Sequence, residues 1–317
     1  GVLAAIIAIL VANFDWRSFV NNKNFIGGIY ILSILLLIAT YFLAPSIRGA
    51  RAWLPVGPFQ FQTSEFAKFA LILVLSSFFA KNHIGIEHLK TIGTSIIFLA
   101  IPLGLILIQP DMGSARIFGG IWFGYLLVSG IRWRHLFIAT VFGILGLTLL
   151  WNFGLRDYQK ERIIGLFQPE RDPLGVNYSV IQAKIAIGSA GIFGKGFGQG
   201  TQSQLGFLPE AQTDFIFAAF VEEWGLFGAI LTLGAFFLVI FQIIRIAIAS
   251  DNNFYKLVCL GTSILFLLHF IVNTGSNLGL MPVIGVPFPF LSYGGSNLLI
   301  NALLIGIIQS SVLYKRF

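Results

Sequence analysis

The chain has 317 residues, 56% of them hydrophobic and only 10% charged, with a net charge of +7. A soluble domain of this size could not cover so much apolar surface, so its main solvent is lipid, and the positive charge reads as Lys- and Arg-rich cytoplasmic loops rather than a nucleic-acid surface. The single cysteine, Cys259, excludes an internal disulfide and a cysteine-based metal cage.

Nine apolar stretches are long enough to span a bilayer: 1–14, 25–44, 64–80, 92–108, 112–130, 135–153, 214–245, 256–278 and 293–313. No alternating ten-residue strand pattern appears, so the expected fold is an all-α polytopic helical bundle, one integral-membrane domain over 1–317. The first stretch is short and opens at Gly1 with no basic region before it. The chain is therefore expected to begin partway through a longer protein. Ten Lys and Arg residues fall in one set of short connections (Arg17, Lys23, Lys81, Lys90, Arg132, Arg134, Arg245, Lys256, Lys315, Arg316), and only Arg48 and Arg51 in the other. The first set is cytoplasmic, which puts the 45–63 loop, the long 156–213 segment and the 279–292 loop outside.

Taken in order, the outer face first offers Arg48, Arg51 and Trp53. Guanidinium forks suit phosphate oxygens, and Trp also settles at membrane interfaces with no further role. Glu65 and Lys68 follow at the start of an apolar run, three residues apart and able to pair on one helix face. Asp111 lies in Gln109-Pro-Asp-Met-Gly113, a turn between spans, and Arg116 is expected to meet an acid from another helix, with Glu222 and Glu223 as candidates. In the outer segment, Tyr178–Ile187 is amphipathic, suited to the membrane surface or to packing on the bundle. The glycines of 194–200 form either a phosphate nest with Lys195 or a close-packed turn.

Glu210, Asp214, Glu222 and Glu223 gather four of the chain's 13 acids within 14 positions. Asp214 reads either as a general base or divalent-cation ligand at a cavity mouth, or as an interfacial acid in a first helical turn capped by Thr213. Glu222 and Glu223 fall about 12–13 Å further along the helix, inside hydrocarbon, where an acid is either functional or paired with a buried cation. Met281–Ser296, with three prolines and Ser292, reads as a re-entrant loop lining a cavity or as a rigid connection. The four histidines share no ligand-like spacing.

Gly49-Ala-Arg-Ala-Trp53, Gly57-Pro-Phe-Gln-Phe-Gln-Thr-Ser-Glu-Phe-Ala-Lys68, Gln109-Pro-Asp-Met-Gly113, Phe207-Leu-Pro-Glu-Ala-Gln-Thr-Asp-Phe-Ile-Phe217 and Gly285-Val-Pro-Phe-Pro-Phe-Leu-Ser-Tyr-Gly-Gly-Ser296 together resemble the SEDS (shape, elongation, division and sporulation) family, over the whole chain and in the family's order. Glu222-Glu-Trp-Gly225 and Gln202-Ser-Gln-Leu-Gly-Phe207 lean towards its elongation branch. The resemblance implies a ten-helix peptidoglycan glycosyltransferase of the bacterial cytoplasmic membrane, polymerising lipid II on the outer face. Asp214 corresponds to the family's essential outer-loop aspartate, as base or as ligand of a divalent cation, Mg²⁺ or Mn²⁺; no organic cofactor is expected. Glu65, Lys68 and Trp53 match positions tied to activity, and a class B penicillin-binding transpeptidase is the expected protein partner beside membrane lipids. Substrate contacts are expected from Arg48, Arg51, Trp53, Glu65, Lys68, Lys195 and Glu210, with Asp111, Glu222 and Ser292 in support. Thr63 and Arg116 depart from the family's pattern. A flippase for the same lipid-linked precursor and a non-catalytic scaffold are the competing classes.

Overall fold

The computed structural model describes residues 1–16, 19, 22–46, 49–57, 59–82, 89–128, 157–168, 172–175 and 177–314, together with scattered positions in 134–152. In chain order the elements are α1 (Val2–Ala12), α2 (Lys23–Leu43), β1 (Trp53–Val56), β2 (Phe59–Gln62), α3 (Thr63–Lys81), α4 (Leu89–Ile108), α5 (Met112–Val128), α6 (Asp157–Phe167), α7 (Tyr178–Ser189), α8 (Thr201–Gln204), α9 (Ile216–Ala249), α10 (Asn253–Asn277) and α11 (Gly295–Leu313). Six of the described helices, α2, α3, α4, α9, α10 and α11, are long and apolar enough to cross a membrane, and α1 and α5 are shorter apolar helices. The stretch expected at 135–153 falls largely outside the described residues. One departure from the all-α expectation is the antiparallel β1–β2 hairpin, with Trp53 opposite Gln62. Its two four-residue strands are too short to register as an alternating pattern.

The chain divides into two compact units, Gly1–Gly130 with Leu238–Leu268 and Gly294–Phe317, and Ile131–Phe237 with His269–Tyr293. In the first, α3 is the central helix: Leu71, Ile72, Leu75 and Phe79 are fully buried. Tyr125 and Ser76 show how buried polar groups there find partners in a low-dielectric interior. Tyr125 shares a 2.8 Å hydrogen bond with the Ser76 hydroxyl and donates to the Leu257 carbonyl at 2.8 Å. The backbone N–H of Gln62 donates to the Ser296 hydroxyl, which ties the hairpin to the start of α11.

In the second unit, the buried face of α7, carried by Ala183 and Ala186, packs with Leu208, Phe215, Ala218 and Ala219. The amphipathic stretch therefore packs within its own unit. The start of α9 is the shared element of this core, and α9 is broken at Gly225 (φ 68°, ψ −169°). In an unbroken helix the N–H groups of Leu226 and Phe227 would donate to the carbonyls of Glu222 and Glu223. Here they donate instead to Gly191 and Ile192, while Lys195 and Gly196 donate to Glu222 and Glu223, all at 2.9–3.1 Å. The loop is inserted into the helix ladder and takes up these four groups. Gly194 and Gly225 make this approach possible: both have positive φ, and a Cβ on either would strike the opposite backbone.

Gly225→Ala is expected to destabilise the folded protein by on the order of 2 kcal/mol or more, from backbone strain and the lost insertion together. The check is a thermal-unfolding midpoint in detergent, compared with Gly234→Ala at a glycine with open space around it.

Candidate active site

Asp214 lies in the turn between Glu210 and α9 rather than in the first helical turn. The carbonyl of Glu210, at a positive φ of 51°, accepts from the N–H groups of Thr213 and Phe215 at 3.1 Å each. Thr213 does not cap α9; its hydroxyl turns back to the Glu210 carboxylate at 3.0 Å. The missing cap comes from α10. Asn277 Nδ2 donates to the Asp214 carbonyl at 2.9 Å, and Asn277 Oδ1 accepts from the Ala218 N–H at 3.0 Å. One side-chain amide thus replaces the rung that Asp214 and Ala218 would form in a regular helix. Asn273 Nδ2 adds a second donor to the Asp214 carbonyl at 3.0 Å and also donates to Val286.

The 286–293 loop fastens the same turn from the other side. Ser292 Oγ donates to the Thr213 carbonyl at 2.8 Å while accepting from the Phe288 N–H at 2.7 Å. The Tyr293 N–H donates to Gln212 at 2.8 Å, and the ring of Phe288 stacks on Phe217 with centroids 6.1 Å apart. Gly285 faces the acid: a Cβ there would lie 3.6 Å from Asp214 Oδ2. Asp214 is therefore a half-buried carboxylate whose main chain is held on both sides.

Glu222 is built differently. It is fully buried, and its carboxylate accepts from five donors: Lys195 Nζ (2.8 Å), the Gln202 N–H (2.9 Å), Thr201 Oγ1 (3.2 Å), and the N–H and hydroxyl of Ser203 (3.1 Å each). A carboxylate so saturated has no lone pair directed at a reacting proton. Its cation is Lys195. The two acids are also not bare in hydrocarbon, because the 194–204 loop supplies their polar partners; Gln204 donates to Glu223 at 3.0 Å. The glycine run is thus a close-packed insert, and its Lys195 and Gly196 N–H groups are occupied rather than arranged as a phosphate nest.

Of the other sequence-derived residues, Glu210 lies in the second unit, and the rest fall in the first unit or outside the described residues. Lys68 Nζ pairs with Glu65 Oε1 at 2.6 Å, both side chains 2% exposed, so this pair is enclosed rather than interfacial. Glu65 Oε2 accepts from Asn297, whose Oδ1 accepts from Asn301. Asp111 caps α5, accepting from the Ser114 N–H at 3.0 Å and its hydroxyl at 2.7 Å. Arg51 is exposed and donates to the Tyr41 carbonyl at 3.2 Å, and Trp53 is half-buried in β1. Glu210 is exposed; Arg48 lies outside the described residues. Asn273, Asn277, Asn297 and Asn301 escaped the sequence reading. Their signal was present: two Asn pairs at i, i+4 on otherwise apolar helices, each placing amides on one face.

A family profile described as cell cycle protein, FtsW/RodA/SpoVE, matches residues 1–316. The peptidoglycan glycosyltransferase MrdB of Escherichia coli (strain K12) is 39% identical over 282 residues, 89% of this chain and 76% of that protein. A chain of a solved peptidoglycan synthase complex that coordinates polymerization and crosslinking superposes with a TM-score of 0.82 at 31% identity, covering 99% of this chain and 88% of the other. The rod shape determining protein RodA of Thermus thermophilus gives a TM-score of 0.70 at 27% identity, covering 99% and 86%.

Replacing Lys195 by Met strands a buried carboxylate and is expected to cost about 3 kcal/mol, whereas Glu222→Gln with Lys195→Met together should recover part of that loss. Chemical denaturation of the second unit's local structure, followed by protease susceptibility at 194–204, reads the difference.

Proposed function

The chain belongs to the FtsW/RodA/SpoVE family, and from that premise we propose that it extends glycan strands from lipid II on the outer face of the cytoplasmic membrane, with Asp214 as the general base. It is a polytopic membrane protein and a peptidoglycan glycosyltransferase. The observation that carries the assignment of the base is the contrast between two acids: Glu222 is saturated by five donors, whereas Asp214 is half-exposed on a turn braced by Asn273, Asn277 and Ser292.

In this reading the 4-hydroxyl of the acceptor's terminal N-acetylglucosamine attacks the anomeric carbon of MurNAc on undecaprenyl pyrophosphate. Asp214 takes the hydroxyl proton as the new C–O bond forms. The bond from the anomeric carbon to the pyrophosphate oxygen breaks, and a single displacement leaves a β-linkage with inversion. Charge accumulates on the leaving pyrophosphate and calls for cations there. Of the cations expected there, Lys195 and Lys68 are engaged by Glu222 and Glu65, and Arg51 is exposed.

Among the described residues no three His, Cys, Asp or Glu side chains gather as a metal cage. Asp214 is the residue that would hold Mg²⁺ or Mn²⁺, since one carboxylate can anchor such an ion. When bound, that ion would neutralise charge on the departing pyrophosphate. The similarity to a chain from a complex that also crosslinks supports a crosslinking partner, and a class B penicillin-binding transpeptidase is the one we propose. The likeness to a rod shape determining protein favours a role in elongation.

Asp214→Asn is expected to lower the rate of lipid II polymerisation by about 10²–10⁴-fold while lipid II still binds. Glycan chain length on a gel, with purified protein, Mg²⁺ or Mn²⁺ and the cognate transpeptidase, gives the result. Full polymer from the variant would remove Asp214 as the base, and translocation of lipid II without polymer from the wild type would favour a flippase.

A further inference from the structure

The loop inserted at the break in α9 carries a second feature that the chemistry at Asp214 does not use. Phe193 and Phe197 are 79% and 80% exposed at its tip. Neither ring is loose. Phe193 lies 6.3 Å from Phe227 and Phe197 6.2 Å from Trp224, centroid to centroid, and Trp224 stacks in turn on Phe220 at 6.1 Å. The four backbone hydrogen bonds that splice residues 191–196 into α9 hold the tip rigidly on both sides of Gly225. This is a fixed aromatic surface turned outward.

Its level along the helix is set by counting. Arg245 is the only charged residue of α9 below Glu223, and it marks the far membrane boundary. From Arg245 back to Trp224 is about 21 residues, or about 32 Å at 1.5 Å per residue, which is one hydrocarbon thickness of about 30 Å. The aromatic group therefore stands where acyl chains meet head groups, on the same side as Asp214. Below it the exposed apolar stripe of α9 continues through Ile230, Leu231, Leu238, Phe241 and Ile248. The patch is the upper end of a lipid-facing stripe, widened by two rings from the loop. Trp224 is 47% exposed, and its indole N–H makes no hydrogen bond among the described residues, as suits an amphipathic ring at a wet interface.

We propose that Phe193, Phe197, Trp224 and Phe227 form a rigid aromatic wedge that is seated in the head-group–acyl boundary of the leaflet nearest Asp214, with bilayer lipid as its occupant. The 156–213 segment is then not wholly aqueous, since its 191–198 loop dips to the lipid surface. Lipid rather than protein is the occupant because the wedge carries no charge and continues directly into a stripe that runs the length of a spanning helix. One consequence rests on the glycosyltransferase reading. Asp214, ten residues above Trp224, is held at most about 15 Å above the acyl boundary, within reach of a sugar carried on a membrane-bound pyrophosphate.

The test is depth measurement by spin label on the full chain in phospholipid vesicles, on a Cys259→Ser background. Nitroxides are placed at Phe193→Cys and Phe197→Cys, with Gln212→Cys, exposed beside Asp214, as the aqueous reference. The wedge predicts that labels at 193 and 197 collide readily with dissolved oxygen and are shielded from a water-soluble nickel complex, whereas 212 meets the nickel complex freely. Nickel access at 193 and 197 equal to that at 212 would overturn the proposal. Low collision with both reagents would overturn it too, because it would mean burial against a second copy or another protein. Adding the cognate transpeptidase separates that last case: a wedge in lipid keeps its oxygen access, and a docking surface loses it. None of these outcomes depends on catalytic activity.

Discussion

One helix that cannot close its own hydrogen-bond ladder organises the second unit. At the top of α9 the rung between the Asp214 carbonyl and the Ala218 N–H is absent, and the Asn277 side chain supplies both halves of it. Eleven residues beyond Asp214, Gly225 breaks the ladder again, and the 191–196 loop fills the gap with four backbone bonds. A buried main-chain group without a partner costs on the order of 1–3 kcal/mol, so neither break is tolerable without its insert. The two repairs draw α10, the 286–293 loop and the glycine-rich loop to the same short length of helix, and that length carries Asp214.

The same geometry separates the acids by role. Glu222, on α9, takes its hydrogen bonds from the 195–203 loop, so its charge serves structure and holds the insert in place. Asp214 receives support through its main chain, which fixes where the carboxylate stands without using up its oxygens in those bonds. A base positioned through its backbone can keep its geometry in both protonation states, which suits proton transfer. In the first unit, Glu65, Lys68, Asn297 and Asn301 make an enclosed chain in which each passes a hydrogen bond to the next.

The sequence was most legible where one rule decides the outcome. Long apolar runs in lipid must be helical, and α2, α3, α4, α9, α10 and α11 lie close to where hydropathy put them. The Glu65–Lys68 pair followed from i, i+3 spacing alone. Asp214 stood out as an acid at a membrane boundary, but spacing left its role open, and the family resemblance supplied the direction. Partners from distant segments were not legible. Lys195 lies 27 positions from Glu222, and Asn277 lies 63 from Asp214. Uniform helical rise also put Glu222 in bare hydrocarbon, because nothing local announces that a loop will be spliced in at Gly225. Pairs of Asn at i, i+4 in apolar helices were the overlooked clue.

The central claim is that the Asn277 amide sets the position of Asp214. It is tested most directly by steady-state polymerisation kinetics of Asn277→Leu, which keeps similar volume and removes both bonds, measured on the folded fraction with lipid II as substrate. A shift of the Asp214 carboxylate by about 1 Å predicts a fall in kcat of about 10²-fold with KM for lipid II little changed. An unchanged kcat in folded protein would contradict the account and reduce the amide to a helix cap.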